Sequence, residues 1–88
     1  MVSKKVIVKN SEGLHLRPAS LLCKEAVRFE CSIHFQFGNR NANAKSVLSV
    51  LSARVKCDDE VEFICEGEDE VEALNYIVKL VEEKFGVE

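Results

Sequence analysis

Long apolar runs are missing from this sequence: its hydrophobic stretches last only a few residues, far short of the ~20 that a membrane-spanning helix needs. An export signal is missing too, because Met1-Val2-Ser3-Lys4-Lys5 opens a strand pattern rather than a basic tract followed by an apolar one. The cytoplasm is therefore the expected compartment, without direct membrane insertion. No cysteine belongs to a CxxC pair, and Cys23, Cys31, Cys57 and Cys65 have no ligand-like spacing with one another or with His15 and His34, which argues against a metal site. In a reducing compartment they read as small core hydrophobes, Cys57 being the one placed in a loop. Neither a carboxylate pair nor a Ser-His-Asp arrangement suggests a hydrolase, and no cofactor is implied. A dense basic stripe is absent, which argues against nucleic acid as a partner. There is one proline and no internal repeat, linker or low-complexity tract.

With 47% hydrophobic and 31% charged residues, the 88 positions suit one domain spanning 1–88 with a modest core. The net charge of −3 conceals two unlike parts: residues 1–56 carry ten Lys/Arg against three Asp/Glu, and residues 57–88 carry two against twelve. The balance is +7 against −10. An acidic protein partner would account for the basic part, and solvated surface charge without a partner would account for it equally well.

Val2 to Lys9 mixes apolar and basic residues as a strand buried on at least one face does, and Asn10-Ser11-Glu12-Gly13 ends it. Ala19, Leu22, Cys23, Ala26 and Phe29 recur at helical spacing, which turns Ser20, Lys24 and Arg28 outward. Cys31, Ile33, Phe35 and Phe37 alternate with Ser32, His34 and Gln36, a strand whose second histidine is a surface residue. Gly38-Asn39 turns the chain into a short antiparallel strand over 40–44. Ser46 is a good N-cap for the short stretch that follows, in which Val47, Leu48 and Leu51 cannot easily all point inward. Part of that surface is then an exposed apolar patch suited to docking. Cys57-Asp58-Asp59 is a turn and residues 60–66 alternate as another strand. Gly67 breaks it, Asp69 with Glu72 makes a capping box, and Val71, Leu74, Val78, Val81 and Phe85 trace a helical face ending at Gly86.

The element order is β-α-β-β-α-β-α. One apolar face per element predicts an α+β, two-layer open-faced sandwich, a four-stranded antiparallel sheet covered on one face by three helices. Other small domains share this outline, so function must come from motifs. An RNA-binding sheet would need Phe35 and Phe37 on the open face, whereas the alternation buries them with Ile33.

The chain is organised around Gly13-Leu14-His15-Leu16-Arg17-Pro18-Ala19, where the strand pattern stops and the helix pattern starts. Pro18 suits a first helical turn and pushes Arg17 out of the α region, so a helix begins within a residue or two of Pro18. Its first N–H groups have no internal partners, and with the helix dipole they form an anion site beside the His15 imidazole. Arg17 adds a planar guanidinium suited to phosphate oxygens. A nucleophilic nitrogen beside an anion cradle is what a transient phosphohistidine requires. Leu16 is either exposed beside His15 or part of a hydrophobic staple, exposure being the favoured reading.

That motif, with Lys45-Ser46 opening a short apolar helix about thirty residues later, resembles the bacterial HPr family of phosphocarriers over the whole chain. The resemblance implies the phosphoenolpyruvate-dependent sugar phosphotransferase system and a carrier rather than an enzyme. His15 would accept a phosphoryl group from enzyme I and pass it to enzyme IIA components, with Arg17 stabilising the phosphate. Ser46 would correspond to the position at which an HPr kinase/phosphorylase switches many members into a regulatory state that engages a transcriptional regulator. Docking falls to Leu16, Ser20, Lys24, Lys45, Val47, Leu48 and Leu51, on a monomer. The alternative is a regulatory binding module working through Ser46, against whose strictest form His15 itself argues. The chain departs from the family pattern at Leu16, where alanine is commoner. It departs again at Ser49 and Arg54, where glycine is frequent, and at Leu48 and Leu51, where methionine is.

Overall fold

In the computed structural model, which describes residues 1–86, the chain runs β1 (Val2–Ile7), α1 (Leu16–Ala26), β2 (Ser32–Phe37), β3 (Arg40–Asn43), α2 (Val47–Ala53), β4 (Glu60–Glu66) and α3 (Glu70–Glu82). A 3-10 turn, Lys84–Gly86, follows. The strands form one sheet in the order β1-β4-β2-β3 with every neighbouring pair antiparallel. This is the predicted two-layer α+β architecture. Period-2 alternation sends Ile33, Phe35, Val61, Phe63 and Cys65 into the core beneath the helices. Phe35 and Phe63 face each other across β2 and β4, fully buried, with ring centroids 5.4 Å apart. That geometry contributes about 0.5–1.5 kcal/mol beyond area burial. The alternate face carries His34, half-buried opposite Asn43 and Ile64. Among the described residues no helix is long and apolar enough to cross a membrane.

Four details depart from the sequence-based expectations. In α1 the buried residues are Pro18, Ala19, Leu22 and Ala26; Cys23 is half-buried and Phe29 lies past the helix end, packing on Tyr76 at 5.7 Å. In α3 the stripe centres on Ala73, Leu74, Ile77, Val78 and Val81, which leaves Val71 at its margin in the first turn, 59% exposed. Phe85 reaches the core by another route: α3 stops at Glu82, and Lys84 and Phe85 take positive φ values of 55° and 57° to tuck the ring in. Finally, Asp69 is the N-cap of α3, but its side chain makes no capping bond. Its carboxylate instead accepts the Glu30 and Cys31 N–H groups, both at 2.9 Å, tying the start of α3 to the turn before β2. The long-range bond wins because that turn presents two otherwise unpaired N–H groups, a better match for a carboxylate than one helix amide.

The cysteines divide by depth. Cys31 is buried beside β2 and Cys65 on β4, and burial pushes the Cys31 thiol up to about 12. Cys23 and Cys57 are half-buried and donate to the Lys45 and Lys9 carbonyls at 3.1 and 3.6 Å.

The Glu30 N–H above all, with the Cys31 N–H, holds the Asp69 carboxyl below its ordinary value of 3.8. A depressed native value means stabilisation that is present above the unfolded-state value and is lost as pH falls through the native one. Asp69→Asn should therefore melt earlier than wild type at pH 7, and the gap should narrow as pH drops below 3.8. Thermal melts followed by circular dichroism at pH 7 and pH ~2.5 check this; an undiminished gap in acid would assign the effect to something other than the carboxylate charge.

Candidate functional site

After β1 the chain is pinned at Asn10, Gly13 and Leu14 before it reaches His15. The Asn10 carbonyl accepts the Gly13 N–H at 2.9 Å, and the Asn10 carboxamide, 1% exposed, donates back to the Gly13 carbonyl. Gly13 adopts φ +64°, and a Cβ there would lie 2.4 Å from the Val55 carbonyl oxygen and 2.6 Å from Lys56 Cα. Only glycine meets both the left-handed conformation and the close approach. Leu14 is buried and donates its N–H to the same Val55 carbonyl at 3.0 Å. The segment after α2 is thus the platform on which the chain enters α1.

His15 is the N-cap of α1, extended at φ −74° and ψ −177°, and exposed. Its carbonyl accepts the Ala19 N–H at 2.9 Å, closing the first turn, while its imidazole makes no capping bond. Arg17 is not pushed out of the helix: it occupies the second helical position, with Pro18 third and buried. Closing the turn onto the His15 carbonyl outweighs the bias a proline imposes on its predecessor, because at the third position the missing proline N–H costs no bond. The Leu16 and Arg17 N–H groups have no carbonyl one turn upstream in the helix and stand free at its positive end. The Arg17 side chain is exposed and makes no ion pair or hydrogen bond among the described residues.

Around this centre Leu16 is 57% exposed, and Ser20 and Lys24 continue the exposed face of α1. On α2, Leu48 is 78% exposed whereas Val47 and Leu51 are half-buried against the core, so the outward apolar surface is narrower than three residues. Lys45 is half-buried: its ammonium donates to the Phe29 carbonyl at 2.6 Å, anchoring the chain beyond α1 rather than standing free. Ser46 is the N-cap of α2 and accepts the Ser49 N–H at 3.3 Å.

His15 and Ser46 are not brought together. The end of α2 lies against Leu14, next to His15, while its start lies by Lys45, whose carbonyl touches Cys23 well along α1. Seven helical residues, about 10 Å of axis, separate them. The ion pairs among the described residues are those of the Met1 ammonium with Glu70, Lys9 with Asp58 and Arg28 with Glu25; Arg17, Lys24 and Arg54 are in none. The unpaired side chains of Arg17 and Arg54 give the His15 end of the molecule a basic rim, and Lys24 stands apart in the last turn of α1.

Two residues of the site escaped the sequence reading of function. Asn10 appears there only as a turn residue, and nothing in its type signals that it is buried. Arg54 appears only as a departure from glycine; it is the C-cap of α2 in the left-handed conformation, φ 57° and ψ 42°, which costs a non-glycine residue about 1–2 kcal/mol. Chemically, the arrangement offers an accessible imidazole, two free amides and a guanidinium, a constellation suited to a tetrahedral dianion.

The family described as "PTS HPr component phosphorylation site" matches residues 2–83. The phosphocarrier protein HPr of Treponema pallidum is 41% identical over 85 residues, covering 97% of each chain. The HPr-like protein Crh of Bacillus subtilis is 39% identical over 84 residues, covering 96% of this chain and 99% of that one. A crystal structure of HPr from Thermoanaerobacter tengcongensis superposes with a TM-score of 0.96 at 39% identity, covering 100% of this chain and 99% of the other.

Gly13→Ala should cost about 2 kcal/mol or more, combining left-handed strain with displacement of the Val55–Lys56 backbone. Denaturant titration checks the loss, and an unshifted midpoint would show that the two segments are not in contact.

Proposed function

The chain belongs to the HPr family, whose members are phosphocarriers of the phosphotransferase system rather than enzymes, and from that premise we propose that His15 is the residue that carries the phosphoryl group. The observation that supports this most is the exposed, unbonded imidazole at the N-cap of α1, flanked by the free Leu16 and Arg17 amides and the Arg17 guanidinium. An imidazole lone pair attacks phosphorus on enzyme I; the bond to the donor breaks as the new N–P bond forms, and the bonding pair stays with the donor. The same exchange in reverse sense delivers the group to an enzyme IIA component. The amides and Arg17 offset the charge of the three peripheral oxygens throughout. An exposed helix start fits a carrier whose reaction partner supplies the rest of the site. The basic rim of Arg17 and Arg54, with Lys24 further along α1, fits acidic partners, and Leu16 with Leu48 supplies the apolar contact. We place this work in the cytoplasm, on a monomer of one domain.

Ser46 is proposed as the regulatory position, read by an HPr kinase/phosphorylase and coupled to a transcriptional regulator. A phosphate at the cap of α2 would lie next to Leu48 and about 10 Å of helix from His15. Its effect therefore passes through the docking surface and not through contact with the phosphoryl group.

Incubation with phosphoenolpyruvate and enzyme I, read by intact mass, should add one acid-labile phosphoryl group to wild type and to His34→Ala but none to His15→Ala. Labelling that survives in His15→Ala and disappears in His34→Ala would move the site to the open face of the sheet. For Ser46, the aspartate variant should slow labelling while melting no earlier than wild type, since negative charge at a helix N-terminus stabilises by up to about 1 kcal/mol. Ser46→Ala should lose roughly 0.5–2 kcal/mol of stability with labelling intact. An unchanged rate with Ser46→Asp and with authentically phosphorylated protein would leave Ser46 as a cap alone.

A further inference from the structure

The approach of residues 13–14 to residues 55–56 has a direction. Gly13 approaches Lys56 and Leu14 bonds Val55, so the two segments pass in opposite directions, and the residues adjoining that Leu14–Val55 bond on its far side are His15 and Arg54. The backbone of Arg54 is fixed there. Its N–H donates to the Leu51 carbonyl at 3.2 Å, and the preceding Ala53 carbonyl accepts the Arg40 guanidinium at 2.8 Å. Its side chain is exposed and engaged in no ion pair or hydrogen bond among the described residues. A bulky charged residue is thus held in a left-handed conformation that glycine would adopt freely, beside the nucleophile and with its guanidinium unspent. Arg17 approaches the same centre from the start of α1, on the other segment.

We propose that Arg54 is a second phosphoryl ligand, its guanidinium donating to the peripheral oxygens of a phosphoryl group on His15 from the α2 side while Arg17 does so from the α1 side. This rests on the reading of His15 as the carrier residue. Two guanidinium forks match a group that spreads its charge over three oxygens, and the second one lessens the repulsion an anionic group meets on arriving. Arg54 makes and breaks no covalent bond.

The test uses steady-state phosphorylation by enzyme I with this protein as the varied substrate, comparing wild type, Arg54→Gly and Arg54→Lys. Arg54→Gly should lower kcat about tenfold, the worth of one charge-assisted hydrogen bond, with KM little changed. Its Tm should equal or exceed that of wild type, because glycine relieves the left-handed strain. A purely structural residue would not move stability and turnover in opposite directions. Arg54→Lys should recover part of kcat. In phosphorylated wild type the Arg54 Nε–H resonance should shift along with that of Arg17. An unchanged kcat in Arg54→Gly, a change confined to KM, or an unmoved Arg54 Nε–H on phosphorylation would each overturn the assignment while leaving the carrier reading intact. Wild type that takes up no phosphoryl group would overturn both.

Discussion

Whatever happens at His15 depends on one close approach, that of Gly13 and Leu14 to the backbone of Val55 and Lys56. The first turn of a helix is its least constrained part, because its N–H groups have no partners within the helix. Here the residues just before α1 are held by a left-handed glycine, by the Leu14–Val55 hydrogen bond and by the buried Asn10 carboxamide. The imidazole, the two free amides and Arg17 therefore start from a fixed backbone. An exposed site gains from this, since a group that meets its partner at the surface reacts most readily when it is pre-aligned.

The same approach determines what α2 can do. Because its last turn abuts the His15 loop, its first turn is pushed about 10 Å away along its axis, and Ser46 with it. The helix carries Leu48 outward and keeps Val50 and Ala53 inward, so its exposed face is a thin apolar strip between two polar ends. A charge at either end changes the surroundings of that strip without touching the core.

Stability is supplied elsewhere. The Phe35–Phe63 pair and the buried stripe of α3 lie under the sheet's centre, and the Asp69 carboxylate joins α3 to the turn before β2. None of these residues lies on the basic rim. Both parts of the chain contribute to the core, whereas the candidate site is presented by the basic part alone, which is how a net charge of −3 coexists with a surface suited to acidic partners.

Local chemistry was enough to read much of this from the sequence. Alternation at residues 32–37 and 60–66 specified two strands, Gly38-Asn39 the hairpin from the first of them into β3, and Ser46 the cap of α2, because each depends on neighbours within a few positions. The Gly-Leu-His-Leu-Arg-Pro motif likewise marked the helix start and the candidate nucleophile. Where the local rules failed, a distant group had intervened. Asp69 abandoned its own helix for the Glu30 and Cys31 amides, Lys45 turned to the Phe29 carbonyl, and Phe85 left the helical path to reach the core. Asn10 and Arg54 joined the site for the same reason: residues 10–15 and 54–56 are far apart along the chain and adjacent only once α1 and α2 have packed. Sequence determined which elements form and which residue is the candidate nucleophile; tertiary structure alone decided what stands around it, since hydrogen bonds and close backbone approaches across 40 or so residues leave no periodic trace.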